Sequence, residues 1–160
     1  MMGMVGVLMA FEDDTFRTVD LEDFLEEAPS CVAVVDVDKA WHALSVIAGE
    51  DSVRADGQPD GLNPPLGGTE FGEDNGYGAP RYLTPEQVKI IDERLKALSD
   101  EHARERFDPV AFAAANIYPA IWDEPRDTLW SKFLQPNLDR VRRFYADATT
   151  AGHHVVLEVQ

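Results

Sequence analysis

Two apolar segments with the alternation of β-strands stand at opposite ends of the chain, and they constrain the fold most. Residues 4–11 read M-V-G-V-L-M-A-F, so both faces of such a strand are apolar. Residues 154–159 read H-V-V-L-E-V and also alternate. The patterns between them are mostly helical, and neither end segment has a hairpin partner beside it. We therefore predict an α+β domain in which the N- and C-terminal strands are neighbours in one small mixed sheet, flanked by helices.

The length fits a single domain. A chain of 160 residues forms one domain spanning 1–160 and buries enough apolar surface to need no disulfide or metal staple. It has one cysteine, Cys31, which we interpret as a small buried hydrophobe in a reducing compartment. The apolar opening is too short to cross a membrane and has no signal-peptide features. We predict a cytoplasmic protein that requires no cofactor or metal.

Acidic residues dominate the charge. Thirty Asp and Glu against 14 Lys and Arg give a formal charge of −16, which opposes nucleic-acid phosphates and anionic lipid. Any macromolecular partner is therefore expected to be a basic protein, although ordinary solubility is the commoner reason for such a charge.

Capping signals divide the interior of the chain into helices. The predicted helices are 21–27, 36–48, one starting after Thr84, 99–106, 108–116, and 126–151 with an interruption at Pro136. Residues 12–17 are expected to form an acidic turn, and residues 31–35 a short strand.

The connection after the helix 36–48 is unusually rich in glycine. Eight of the 11 glycines lie between Gly49 and Gly78. We predict a mobile, exposed insertion at 50–63 and an ordered segment at 64–83, because only the latter carries aromatic residues. Trp41 in the preceding helix needs a large apolar partner, which Phe71, Tyr77 or Tyr82 would supply.

The first group of candidate site residues lies on the helix 36–48. His42 follows Asp38 by one helical turn, so the two can share a hydrogen bond or a proton. A purely structural histidine is the alternative.

The second group lies on the glycine-rich segment, where Glu73, Asp74, Tyr77 and Arg81 follow one another closely. Glycines permit tight turns that aim several polar side chains into one place. Paired carboxylates can bind a cation or a basic group, or act as a base. They can equally cap a turn and pair with Arg81. The phosphate-loop, G-x-S-x-G and H-E-x-x-H motifs are absent.

Several stretches together resemble one family. The chain carries M-G-M-V-G at its start, D-V-D-K-A-W-H-A-L at 36–44, L-G-G-T-E-F-G-E-D-N-G-Y-G-A-P-R-Y-L at 66–83, F-D-P at 107–109 and I-Y-P-A-I-W-D at 117–123. In these it is similar to the YfbM-like family, small bacterial proteins grouped as a domain of unknown function. The resemblance implies one domain with helices on both faces of a central sheet, in an α/β/α-like arrangement, and implies no activity.

The sequence is compatible with two functions. One is a non-enzymatic binding or interaction protein whose acidic surface recognises a basic partner, similar to the immunity proteins that neutralise toxins. The other is an enzyme or small-molecule-binding protein in which His42 converges with Glu73, Asp74, Tyr77 and Arg81. The second requires these groups to line one concave pocket.

Overall fold

One antiparallel sheet forms the centre of the protein. A computed structural model describes residues 3–18, 21, 23–27, 29–49, 61–74 and 76–160. In this part of the chain, five strands pair in the order β2-β1-β5-β4-β3, and every neighbouring pair is antiparallel. The α+β class is confirmed, whereas the prediction of a mixed sheet is wrong. The strands are β1 (Gly6–Phe11), β2 (Ala33–Asp36), β3 (Thr69–Glu70), β4 (Arg81–Leu83) and β5 (His154–Val159).

The two end strands lie side by side at the middle of this sheet. β1 pairs with β5 from Gly6 opposite Val159 to Phe11 opposite His154. The pairing continues beyond the strands, because Val5 and Gln160 exchange two backbone hydrogen bonds of 2.9 and 2.8 Å. The prediction that the N- and C-terminal strands are neighbours is confirmed.

The helices predicted to start after Thr84, Ser99 and Asp108 begin where the capping signals indicated, whereas the helix predicted at 21–27 begins only at Phe24. Thr84 forms a full capping box with Gln87, and Gly152 ends the last helix with a left-handed φ of 70°. A 3-10 turn (Asp38–Ala40) leads into α3, so the helix predicted at 36–48 is shorter. The helices are α1 (Asp13–Thr18), α2 (Phe24–Glu27), α3 (Trp41–Ile47), α4 (Pro85–Ala97), α5 (Asp100–Glu105), α6 (Pro109–Ala114), α7 (Arg126–Leu129) and α8 (Gln135–Ala151).

The predicted interruption near Pro136 takes the form of a π-helical segment, Trp130–Leu134, which joins α7 to α8. Proline cannot donate a backbone hydrogen bond and crowds the preceding turn, so the helix widens there. The Asn137 side chain donates a hydrogen bond of 2.8 Å to the carbonyl of Phe133 and thereby satisfies an acceptor in the widened turn.

Helices cover both faces of the sheet, as the family resemblance implied. On one face, Leu8, Val155 and Leu157 belong to the main core with the longer helices α4 and α8. On the other face, Phe11 and Val156 join Phe24, Phe71 and the short helices α1 and α2. Apolar residues on both faces of β1 and β5 therefore reflect a three-layer arrangement.

Three local predictions were wrong. Residues 12–17 were predicted as an acidic turn but belong mostly to the helix α1, because acidic residues start it and Phe16 packs on Phe11 and Phe24. Cys31 was predicted to be buried but is exposed, since it precedes an edge strand.

The third prediction, an exposed and mobile insertion at 50–63, extends too far toward its C-terminal end. Residues 50–60 lie outside the described part of the chain, but Asn63 is fully buried and donates a hydrogen bond of 3.0 Å to the carbonyl of Ser45.

Tyr145 on α8 gives a test of the main core. It is fully buried, burial raises the pKa of its hydroxyl, and that hydroxyl donates to the carbonyl of Pro64. We expect Tyr145→Phe to lower the free energy of unfolding by about 1–3 kcal/mol, because the buried carbonyl loses its donor. Urea unfolding measures this.

Tyr82 provides the matched control, since its ring is half-buried and its hydroxyl makes no hydrogen bond with the described residues. Tyr82→Phe should change the free energy of unfolding by less than about 0.5 kcal/mol. Equal losses in the two variants would contradict the proposed role of the Tyr145 hydroxyl.

Candidate functional site

Two aromatic side chains bind the backbone of Met4, just before β1. The Met4 amide donates to the Tyr118 hydroxyl at 3.0 Å, and the Met4 carbonyl accepts from the Trp41 indole nitrogen at 3.1 Å. The rings of Trp41 and Tyr118 stack with their centroids 5.8 Å apart. This arrangement, which with His42 we call the aromatic junction, joins three segments that are far apart in sequence.

Glycines in the opening segment make the close approach possible. A Cβ on Gly6 would lie 2.6 Å from the Cβ of Trp41, and one on Gly3 would lie 2.3 Å from the Tyr118 hydroxyl oxygen. A larger residue at Gly6 would push Trp41 away from β1. The M-G-M-V-G opening therefore has a packing reason.

His42 completes the junction through one ring nitrogen. Its Nδ1 accepts a hydrogen bond of 2.9 Å from the backbone N–H of Tyr118, and its ring stacks against Trp41. An accepting Nδ1 requires the neutral ring with its proton on Nε2. Partial burial also lowers the pKa of His42 by penalising the charged ring. His42 is thus held neutral as a structural acceptor.

A cavity of about 350 Å³ opens beside Trp41. It lies between α3, the chain leading into β4, and the end of β5, and it falls within the lower part of the size range of small-ligand pockets. Its wall combines aromatic, apolar and charged groups. The residues that define its chemistry are Trp41, Leu66, Tyr77, Arg81, Leu157 and Glu158.

The loop between β3 and β4 carries carboxylates beside this cavity. Arg81 on the wall pairs with Glu70 at 2.8 Å, so its charge is already compensated. Asp74 Oδ1 accepts hydrogen bonds from the N–H groups of Gly76 and Gly78 at 2.7 and 3.0 Å, which shapes the turn. Glu70, Glu73 and Asp74 are all exposed.

The six candidates identified in the sequence do not share one site. Tyr77 and Arg81 line the cavity. His42 binds Tyr118 instead of a carboxylate. Asp38 is exposed, with a left-handed φ of 51°, and its N–H binds Asp36.

The remaining two candidates lie on the loop. Glu73 is exposed there, and Asp74 has the turn-capping role that the sequence offered as the alternative.

The predicted aromatic partner of Trp41 needs correction. Its ring partner is Tyr118, whereas Phe71 and Tyr82 pack on the opposite face of the sheet. Tyr77 does share the cavity with Trp41. Glu158 also lines the cavity and was not predicted, although it is the one charged residue in the strand H-V-V-L-E-V.

The described residues contain no group of three or more His, Cys, Asp or Glu side chains arranged to hold a metal ion. No helix among them has the length and apolar character needed to cross a membrane.

The fold and cavity define a small α+β protein with a five-stranded antiparallel sheet between helical layers. The chain belongs to the family described as Domain of unknown function (DUF1877), whose model matches residues 2–158. It is similar in structure to YfbM from Escherichia coli, a protein of unknown function, with a TM-score of 0.72 and 16% identity over 98% of this chain and 99% of that one. At this identity the likeness concerns the fold alone. No curated protein matches the chain.

His42 is expected to make the folded protein less stable at weakly acidic pH. Its pKa is lower in the folded chain than in the unfolded chain, so the unfolded chain binds the proton more tightly. Neutral His42 makes its full contribution to the free energy of unfolding above the unfolded-state pKa of about 6.5. This contribution is lost as the pH falls toward the folded-state pKa. Urea unfolding over a pH series measures the loss.

His42→Asn separates this effect from other titrations, because the amide oxygen can replace Nδ1 as acceptor without titrating. We expect a shallower dependence of stability on pH below about 6.5 in this variant. His102→Asn, a change of the same type at an exposed residue of α5, controls for the loss of one histidine. If the free energy of unfolding has the same slope against pH in His42→Asn and in wild type, the role assigned to His42 is wrong.

Proposed function

We propose that the protein is a non-enzymatic binding protein that recognises a basic segment of a partner protein, with the cavity beside Trp41 as its site. The observation that carries the proposal is the union, in one cavity, of two aromatic rings from separate segments, Trp41 and Tyr77, beside the exposed carboxylates of the loop that carries Tyr77. Aromatic faces and carboxylates both attract a Lys or Arg side chain.

The surrounding charge favours a cation. Arg81 on the cavity wall is paired with Glu70, and the same loop adds Glu73 and Asp74. The whole chain carries a formal charge of −16. Such a field raises the association rate of a basic partner and disfavours an acidic one.

Tyr77 has the properties of an interface anchor. It is 55% exposed while also lining the cavity, and it lies on a glycine-rich loop with a carboxylate-capped turn. Tyrosine is enriched among the residues that contribute most to binding energy at interfaces. Neutralisation of a basic toxin is one role that such a surface would serve.

The proposal places the protein in the cytoplasm. Its support is the single cysteine, Cys31, which is exposed and has no second cysteine with which to pair. A lone accessible thiol is more typical of reducing compartments than of oxidising ones.

A small anionic ligand is the second candidate, because the hydrogen bond to Glu70 uses only one of the five N–H donors of Arg81. Two variants separate the candidates. Glu73→Gln, on the loop that carries Tyr77, weakens the binding of a cation, whereas Arg81→Gln weakens the binding of an anion.

A photo-crosslinking amino acid in place of Tyr77 tests the proposal. Capture from native lysate should yield a specific protein whose crosslinked segment is rich in Lys or Arg, and raising the salt concentration should reduce the yield. The same amino acid in place of Val110, which is 80% exposed on α6, gives the background. Tyr77→Ala should weaken the affinity for the captured partner by at least about tenfold, and Val110→Ala should not change it.

Two results would contradict the proposal. One is a capture pattern at position 77 that is the same as at position 110. The other is a captured segment that is acidic or neutral and whose crosslinking does not depend on salt.

A further inference from the structure

β2 ends the sheet on one side, and no strand among the described residues pairs with its outer edge. The Val37 N–H binds the Gly6 carbonyl at 2.9 Å, and β2 continues in register with β1 from there. Backbone groups alternate in direction along an antiparallel strand, so those of Val35 and Ala33 also face β1. The N–H and C=O groups of Val34 therefore point away from the sheet, where a further strand could bind them.

Within the described ranges, the centre of this edge carries no charged residue or covering segment that would prevent strand addition, unlike the opposite edge. Val34 is 61% exposed and extends the apolar face that contains Met9, which lies opposite it on β1. Val32, at a bend just before the strand, is 49% exposed. The other edge, β3, has only two residues, and one of them is the charged Glu70. Short strands and charges protect an edge, whereas exposed valines on an open edge favour association.

A groove of about 300 Å³ runs between β2 and α8, and the charged residues along it are basic at one end and acidic at the other. Phe144 lines the groove, with Arg140 and Arg143 before it and Asp147 after it along the helix. Within the part of the chain that the structure describes, none of these three charged residues takes part in an ion pair.

We propose that this edge binds a second copy of the same chain, with the two β2 strands antiparallel about a two-fold axis at Val34. The axis places each Val34 opposite the other and lets them exchange backbone hydrogen bonds. The two sheets then form one continuous sheet. Phe144 lies near the midpoint between Arg140 and Asp147, so the same axis sets Arg140 of one copy opposite Asp147 of the other.

The polarity of the groove is the reason for choosing a second copy as the occupant. A groove that is basic at one end and acidic at the other is complementary to itself after a two-fold rotation. A uniformly basic or acidic segment from another protein would meet a like charge at one end. This interface is separate from the cavity beside Trp41, so the two proposals can fail independently.

Sedimentation equilibrium tests the assembly. At about 100 µM, wild type should sediment mainly at twice the 17.8 kDa of one chain. Val34→Lys places two like charges together at the axis, and it should raise the dimer dissociation constant at least about tenfold. Val110→Lys, the same change at an exposed valine far from β2 in sequence, should leave it unchanged.

A charge exchange controls for damage to the fold. Arg140→Asp should weaken the dimer, because the new carboxylate faces the carboxylate of Asp147 in the second copy. Adding Asp147→Arg should restore the dimer. Wild type that sediments as a monomer, a dimer that survives Val34→Lys, or a double variant no stronger than Arg140→Asp would each overturn the proposal.

The single cysteine tests the register. Cys31 is exposed and precedes Val34 by three residues with a bend at Val32 between them, so the two copies of Cys31 lie at most six residues of chain apart along the strand direction. That separation is at most about 20 Å. Spin labels on Cys31 should give one dipolar distance of at most about 35 Å when the label arms are included. The absence of such a distance at concentrations that give a dimer would overturn the register.

Discussion

The structure depends on the two hydrogen bonds that hold the backbone of Met4 between Trp41 and Tyr118. Met4 directly precedes the part of the chain that pairs with β5 at the centre of the sheet, so its position fixes where α3 and the 117–119 segment sit on that sheet. Both backbone polar groups of one residue, Met4, are satisfied by side chains whose rings also stack on each other. Removing either ring would leave a half-buried backbone group without its partner, which costs more than the hydrogen bond contributes.

This junction also explains the position of the cavity. Trp41 is fixed by its indole hydrogen bond on one side and leaves another part of its surface to the cavity wall. Tyr77 and Arg81 reach the same wall from a loop whose turn is held by the carboxylate of Asp74. The site is therefore supported by rigid contacts on the helical side and by local hydrogen bonds on the loop side. Aromatic groups held in this way lose little conformational entropy on binding.

The sequence predicted the fold better than the site. Alternation identified β1 and β5, and capping residues such as Thr84 identified the helix starts, because both depend on neighbouring residues alone. The two strands β3 and β4 were missed, since strands of two and three residues have too little periodicity to detect. The partner of His42 could not be predicted, because it is the backbone N–H of Tyr118, and a backbone donor leaves no mark in a sequence.

Hydrogen exchange at the indole N–H of Trp41 and the amide of Met4 tests the central role of the junction most directly. In wild type, both protons should exchange at least about tenfold more slowly than unprotected groups, because both are hydrogen-bonded in one packed unit. Tyr118→Phe removes the acceptor of the Met4 amide, so the account predicts faster exchange at Met4 and at Trp41 together. A Trp41 indole proton that exchanges at the unprotected rate in wild type, or that keeps its protection in Tyr118→Phe while Met4 loses its own, would contradict it.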